Sequence, residues 1–224
     1  MSSPAATVDP LARLRAFPRA PAPNDDPTSV KTNFPQDDVV LNQNILAYHI
    51  GHHPDSKVFG HAQAGHLKLI ELHARDRRDA STPANVSALD GISSANLEAV
   101  TVCELTVTED MLNVHGTFAG PCAVSIMDLC TFSSLFALST LIGTDASGFS
   151  ASMNVVWHNV ATKGTTLRFV STSMTAKGRT TSARCEAYDK KRGTLVVSAT
   201  QLITPVPLGL PTGARARAAL KAKL

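Results

Sequence analysis

Hydrophobic and polar positions divide this chain unevenly. Residues 1–35 show no period and hold seven of the thirteen prolines, the pattern of an extended or disordered leader. Arg13, Arg15 and Arg19 do not make an amphipathic transit helix there, because Asp9 and the prolines interrupt it. The stretch DDVVLNQNILAYHIG, 37–51, predicts a short helix that two aspartates open and Gly51 closes. HLKLIELHA, 66–74, fits a strand or a short helix, and the polar 74–96 reads as a long loop or insertion. From Leu97 the pattern tightens. Leu97, Ala99, Cys103, Leu105 and Val107 share one face of a period of two, which predicts a strand. The apolar run from about 120 to 142 is too long for a strand and closes at Gly143, so it predicts a central helix. Four more strands are expected at 148–160, 165–176, 179–189 and 194–206, with short connections suited to antiparallel hairpins. A helix apolar nearly all round must be wrapped by something. A curved antiparallel sheet around one long helix is the simplest solution, which makes the fold class α+β.

Composition changes this picture little. The 224 residues are 43% hydrophobic and 17% charged, enough for one generous domain with extensions. The expected layout is a leader at 1–36, an N-terminal helical extension at 37–65, the main domain at 66–206 and a basic tail at 207–224. Ser125, Asp128, Thr131, Ser133 and Ser134 interrupt the apolar helix, so it reads as buried, and no membrane span is expected. Net charge is +3, and the seven charged residues after Asp189 are all basic, from Lys190 to Lys223. That bias suits an anionic small molecule or a merely solvated tail. With two Tyr and one Trp, nucleic acid is not an expected partner. Cys103, Cys122, Cys130 and Cys185 are scattered and read as reduced core thiols. His49, His52, His53, His61 and His66 cluster in sequence without a zinc-binding spacing, so no metal or other cofactor is expected.

The segment NVHGTFAGPCAVSIMD, 113–128, and the strand GFSASMN, 148–154, carry a resemblance. Together with the order of elements they resemble the hot-dog fold acyl-CoA thioesterases. The similar branch contains the phenylacetyl-CoA thioesterases and the small mammalian thioesterase-superfamily proteins. Its pattern before the helix, N-x-x-G-T-x-H-G-G with an acidic residue seven places on, matches Asn113, Gly116, Thr117, Gly120 and Asp128 without a gap. Its G-x-S-x-x-M-N strand matches Gly148, Ser150, Met153 and Asn154. The match covers roughly 97–206. Two positions depart: Ala119 stands at the family's histidine and Pro121 at its second glycine. His115-Gly116 sits too far before Asp128 to be the family's His-Gly pair.

The resemblance implies hydrolysis of an acyl-CoA thioester to a free acid and CoA. Gly120, just before Pro121 at the start of the helix, would offer its N–H to the thioester oxygen, helped by the helix dipole; the plain alternative is a cap built for geometry. Asp128 would be general base or nucleophile, or else a buried carboxylate satisfied by hydroxyls. Thr131, one turn on, would orient it. Asn113 and Ser150 would orient carboxylate, water or thioester, or serve only as turn and strand residues. Lys163, Lys177 and Arg179 at the hairpins would meet the CoA phosphates, and surface solvation explains them equally. Gly120 and Asp128 lie eight residues apart, about 12 Å on one helix, so acting on one carbonyl requires two subunits. A homodimer or dimer of dimers is therefore expected. Ala222-Lys223-Leu224 resembles the S-K-L peroxisomal address, making the peroxisomal import receptor an expected partner, with the cytoplasm as the alternative location. Two other functions stay open: a different acyl-thioester reaction, such as hydration or acyl transfer, and acyl-CoA binding without turnover.

Overall fold

The computed structural model describes residues 9–19, 26–51, 58–79, 81–175 and 180–205. Seven strands form one sheet in the order β1-β2-β3-β5-β6-β7-β4. These are β1 (Lys31–Thr32), β2 (Lys68–Asp76), β3 (Leu97–Thr106), β4 (Gly148–Trp157), β5 (Thr166–Thr175), β6 (Thr181–Asp189) and β7 (Leu195–Pro205). Only the short β1–β2 pair is parallel. The others are antiparallel; β5–β6 and β6–β7 form the expected hairpins, whereas the short connection through Lys163-Gly164 makes none, because β4 pairs with β7 and β5 with β3 and β6. The segment 66–74, open between strand and helix, resolves as strand β2.

Helix α4 (Gly120–Ile142) packs across β3, β5 and β6. It is long and apolar enough to cross a membrane by composition, yet two thirds of its most apolar window is buried. The curved sheet does the burying, as a helix without a polar face requires. Pro121 sits in its first turn, and Gly143 ends it with φ of 64°, a left-handed cap open to glycine at little cost. Cys130 and Ala123 on α4 join Cys103 and Leu105 of β3 and Phe169 of β5 in the main core.

The N-terminal region differs from a bare leader. Helix α1 (Ala12–Arg15) buries Leu11 and Leu14 completely or nearly so, against Ile45, Leu135 and Phe136. Arg13 Nε donates to Asp145 Oδ2 at 2.7 Å, tying this turn to the loop after α4. One turn of helix is too short to leave a period in the sequence, and the prolines around it mask it. Helix α2 (Gln36–His49) forms where the helical extension is expected, and it lies on α4. Helix α3 (His61–Ala64) follows it. The polar segment 81–96 is mostly loop, with a 3-10 turn at Val86–Leu89 that buries Leu89.

Candidate active site

Asp128 sits in the third turn of α4, half-buried, facing β4 and β7. Ser150 Oγ donates to its Oδ1 at 2.7 Å. Gln201 Nε2, from the fully buried side chain on β7, donates to the same Oδ1 and to Ser150 Oγ, the latter at 2.6 Å. A carboxylate only accepts, so the amide nitrogen of Gln201 must face it. The amide oxygen then accepts from Thr131 Oγ1, which also lies 2.8 Å from the Asp128 carbonyl. Asp128, Ser150 and Thr131 thus meet as expected, and Gln201 joins them unforeseen. Oδ2 of Asp128 takes no hydrogen bond among the described residues, so one carboxylate oxygen is anchored and the other is open.

A bulge makes this possible. Ser150 pairs with Ile203 and Ser152 with Leu202, so Ala151 is the extra residue on β4. Met153 pairs with Gln201. Ile203 and Gln201 both face inward, fully buried, which places Ser150 and Met153 on the same side although they stand three positions apart. Without the bulge the alternation would turn Ser150 outward. Gln201 itself had a signal in the sequence. It is the polar member of the inward series Val197, Ala199, Gln201, Ile203, and a polar residue in that phase marks a place that needs a partner.

The remaining expected residues sit elsewhere. Gly120 is the first residue of α4; a Cβ there would lie 3.5 Å from the Trp157 ring, ordinary contact, so space alone does not demand glycine. Its N–H belongs to the first turn and takes no hydrogen bond among the described residues. Pro121 follows it, exposed. Asn113 is engaged within its own loop: Oδ1 accepts from the N–H of His115 at 2.9 Å and of Thr117 at 3.2 Å, and Nδ2 donates to Thr117 Oγ1. It organises a turn and does not touch Asp128. His115 is exposed on that loop. Lys163 pairs with Glu109 and helps line a cleft of about 440 Å³ with Lys190, Lys191 and Arg192. Lys177, Arg179, His52, His53 and Ala222-Lys223-Leu224 lie outside the described residues.

Asp128 lines a cavity of about 430 Å³. Leu129, Phe132 and Phe136 of α4, Ile50 at the end of α2, and Phe59 and Phe149 form its apolar side, while His49, Ser125, Ser147 and Ser150 join Asp128 on a polar one. Burial pushes the Cys122 thiol up to about 11 and the Cys130 thiol well above its ordinary value, so both stay protonated.

No family model and no curated protein matches the sequence. Solved structures do match. The zebrafish thioesterase superfamily member 2 superposes with a TM-score of 0.50 over 72% of this chain and 94% of its own, at 16% identity. This chain has the hot-dog fold. Two further structures of lower similarity are a hypothetical thioesterase with coenzyme A from Streptococcus pneumoniae and the E. coli PaaI protein from the phenylacetic acid degradation operon. The first has a TM-score of 0.43, 14% identity and covers 48% of this chain and 78% of its own. The second has 0.40, 17%, 47% and 75%. Against the hot-dog frame, α4 is the central helix and residues before β2 are an N-terminal extension that supplies His49 to the cavity wall.

Proposed function

We propose that this chain is a divergent thioesterase-superfamily protein that hydrolyses an acyl-CoA to a free acid and CoA. The observation that carries the reading is the Asp128 carboxylate, with Oδ1 held by Ser150 and Gln201 and Oδ2 left open beside a cavity that has one apolar side. Such an arrangement suits a general base for water or a direct nucleophile on the thioester carbon. The acyl group occupies the cavity, and the CoA phosphates meet the cleft bounded by Lys163, Lys190, Lys191 and Arg192.

The oxyanion donor is the N–H of Gly120, contributed by a second copy. About 12 Å of helix separates Gly120 from Asp128, too far for one carbonyl to reach both. An edge available for that copy supports the dimer. β4 is the last strand of the sheet, and Phe149, Val156 and Trp157 along it are 58%, 47% and 52% exposed. An unpaired apolar edge of ten residues invites pairing.

The test is thiol release from a panel of alkyl- and aryl-acyl-CoAs by the intact protein and by Asp128→Asn. Turnover that falls roughly 10²- to 10⁴-fold on substitution supports the reading. No turnover on any member, or turnover indifferent to Asp128, overturns it. Ala119 at the family's histidine position favours one second reading, acyl-CoA binding without hydrolysis, which calorimetric binding in the absence of thiol release would establish.

A further inference from the structure

The Asp128 cavity is a trough laid along α4. Ser125, Asp128, Leu129, Phe132 and Phe136 line it, and their spacing puts them on one stripe of the helix. The stripe changes character along its length. Ser125 and Asp128 are polar, where a thioester would sit, and Leu129, Phe132 and Phe136 are apolar, where its chain would run. The start of β4, from Ser147 to Ser150, makes one wall. The facing wall comes from outside the sheet and its central helix. It consists of His49 and Ile50 at the end of α2, Val58 and Phe59 before α3, and Ala64 at the end of α3.

The two ends of the apolar stretch differ. One begins at Asp128, with its open Oδ2. At the other, Phe136 is 3% exposed and the His49 ring packs on it with centroids 5.0 Å apart. The N-terminal region backs this pair. Phe17 sets its ring edge-on to His49 at 5.8 Å and stacks on Tyr48 at 4.2 Å. Leu11 and Leu14 share an apolar cluster with Phe136, and the ion pair of Arg13 with Asp145 pins that turn in place. Helices α2 and α4 pack so closely around His49 and Phe136 that the space left between them is about 10 Å³. That is room for about one water and none for a chain.

We infer that the N-terminal extension is the ruler of this site: His49, held on Phe136 by α1 and α2, stops the acyl chain, and the preferred substrate is a straight-chain acyl-CoA of about eight carbons. The inference rests on the reading of the Asp128 cavity as the thioester site. Asp128 and Phe136 stand eight positions apart on α4, about 12 Å, which fixes that length. Each methylene short of the stop leaves water for the trough, which corresponds to about fourfold in affinity. A methylene beyond it has to displace packed side chains, and overpacking of that kind cancels the benefit of burial.

The experiment runs straight-chain substrates from butanoyl-CoA to dodecanoyl-CoA on the full-length chain. The readouts are kcat/KM from thiol release, and calorimetric Kd on Asp128→Asn, which reports binding without turnover. The expected result is a rise of about fourfold per methylene that breaks off near eight carbons. His49→Ala should move the break longer by about two carbons, and His49→Trp should move it shorter. Thermal melts on the same samples report folding; if the tryptophan variant does not fold, His49→Ala decides alone. A merely loosened fold lowers every chain length alike and leaves the break in place. A rise that continues unbroken to dodecanoyl-CoA overturns the inference, as does a break that His49→Ala does not move. A break in calorimetric Kd without thiol release sinks the hydrolase and leaves the ruler standing. Binding of no member of the series sinks both.

Discussion

Replacing Gln201 by leucine removes the amide that anchors Asp128 while roughly preserving buried volume. The side chain is fully buried and serves three partners: Asp128 Oδ1, Ser150 Oγ and Thr131 Oγ1. The bond to the carboxylate is charge-assisted, a class that contributes about 1.5–3 kcal/mol; the other two contribute about 1 kcal/mol each. Two effects offset part of the loss. Thr131 retains the Met127 and Asp128 carbonyls at 3.0 and 2.8 Å, so its hydroxyl is not orphaned. Ser150 still donates to Asp128, and leucine buries without desolvating an amide. The net expectation for Gln201→Leu is a loss of about 1–3 kcal/mol, or a fall in Tm of a few degrees for a chain of this size. Catalysis should suffer more. A carboxylate free to swing by about 1 Å costs roughly a hundredfold in kcat, with KM little changed. Thiol-release kinetics and thermal melts on the same samples separate the two quantities. Gln201→Glu sharpens the test, because a second carboxylate against Asp128 makes the pair share a proton and moves the acidic limb of the kcat profile upward. If Gln201→Leu loses stability while kcat holds within about twofold, Gln201 is structural only and the account of Asp128 positioning fails.

Gly148 opens β4 opposite Pro205, and a Cβ there would lie 2.5 Å from the Thr204 carbonyl oxygen and 2.6 Å from Ile203 Cγ2. Gly148→Ala should therefore cost about 1–3 kcal/mol in urea denaturation, by displacing the strand that carries Ser150; an unchanged midpoint would show that the strand end yields freely. Burial lowers the pKa of His49 and of His73, against the opposing pull of Asp128 and of Glu71 respectively. In the unfolded chain both histidines bind protons near pH 6.5. Stability should be full above that pH and decline as pH falls below it, where the unfolded state holds more protons than the native one. Urea midpoints measured from about pH 7.5 down to about pH 5.5 check this, and the slope should flatten in His73→Phe.

Local pattern carried most of the element map because it depends on neighbours in sequence. The alternation at 97–107, the apolar run closed by Gly143 and the short hairpins place β3, α4 and β5 to β7 within a residue or two. Asp128 stood out for the same reason, as a carboxylate among Val124, Ile126, Met127 and Leu129. Asn113 looked functional by motif position, yet its own loop absorbs its amide through three bonds, a local event that motif matching does not weigh.

What the chain alone determined was therefore an antiparallel sheet wrapped on one apolar helix with a single conspicuous carboxylate. Only the tertiary structure decided what surrounds that carboxylate. Gln201 lies 73 residues from Asp128 and Ser150 lies 22 away, and both arrive through strand pairing and a bulge that no local period records. Leu11 and Leu14 are buried because α2 and α4 leave apolar ground for them, not because a proline-rich leader favours helix. His49 becomes a cavity wall only when α2 docks on α4. Burial and hydrogen-bond partners are properties of the packed assembly, and the identity of a residue says what it needs without saying which distant residue will supply it.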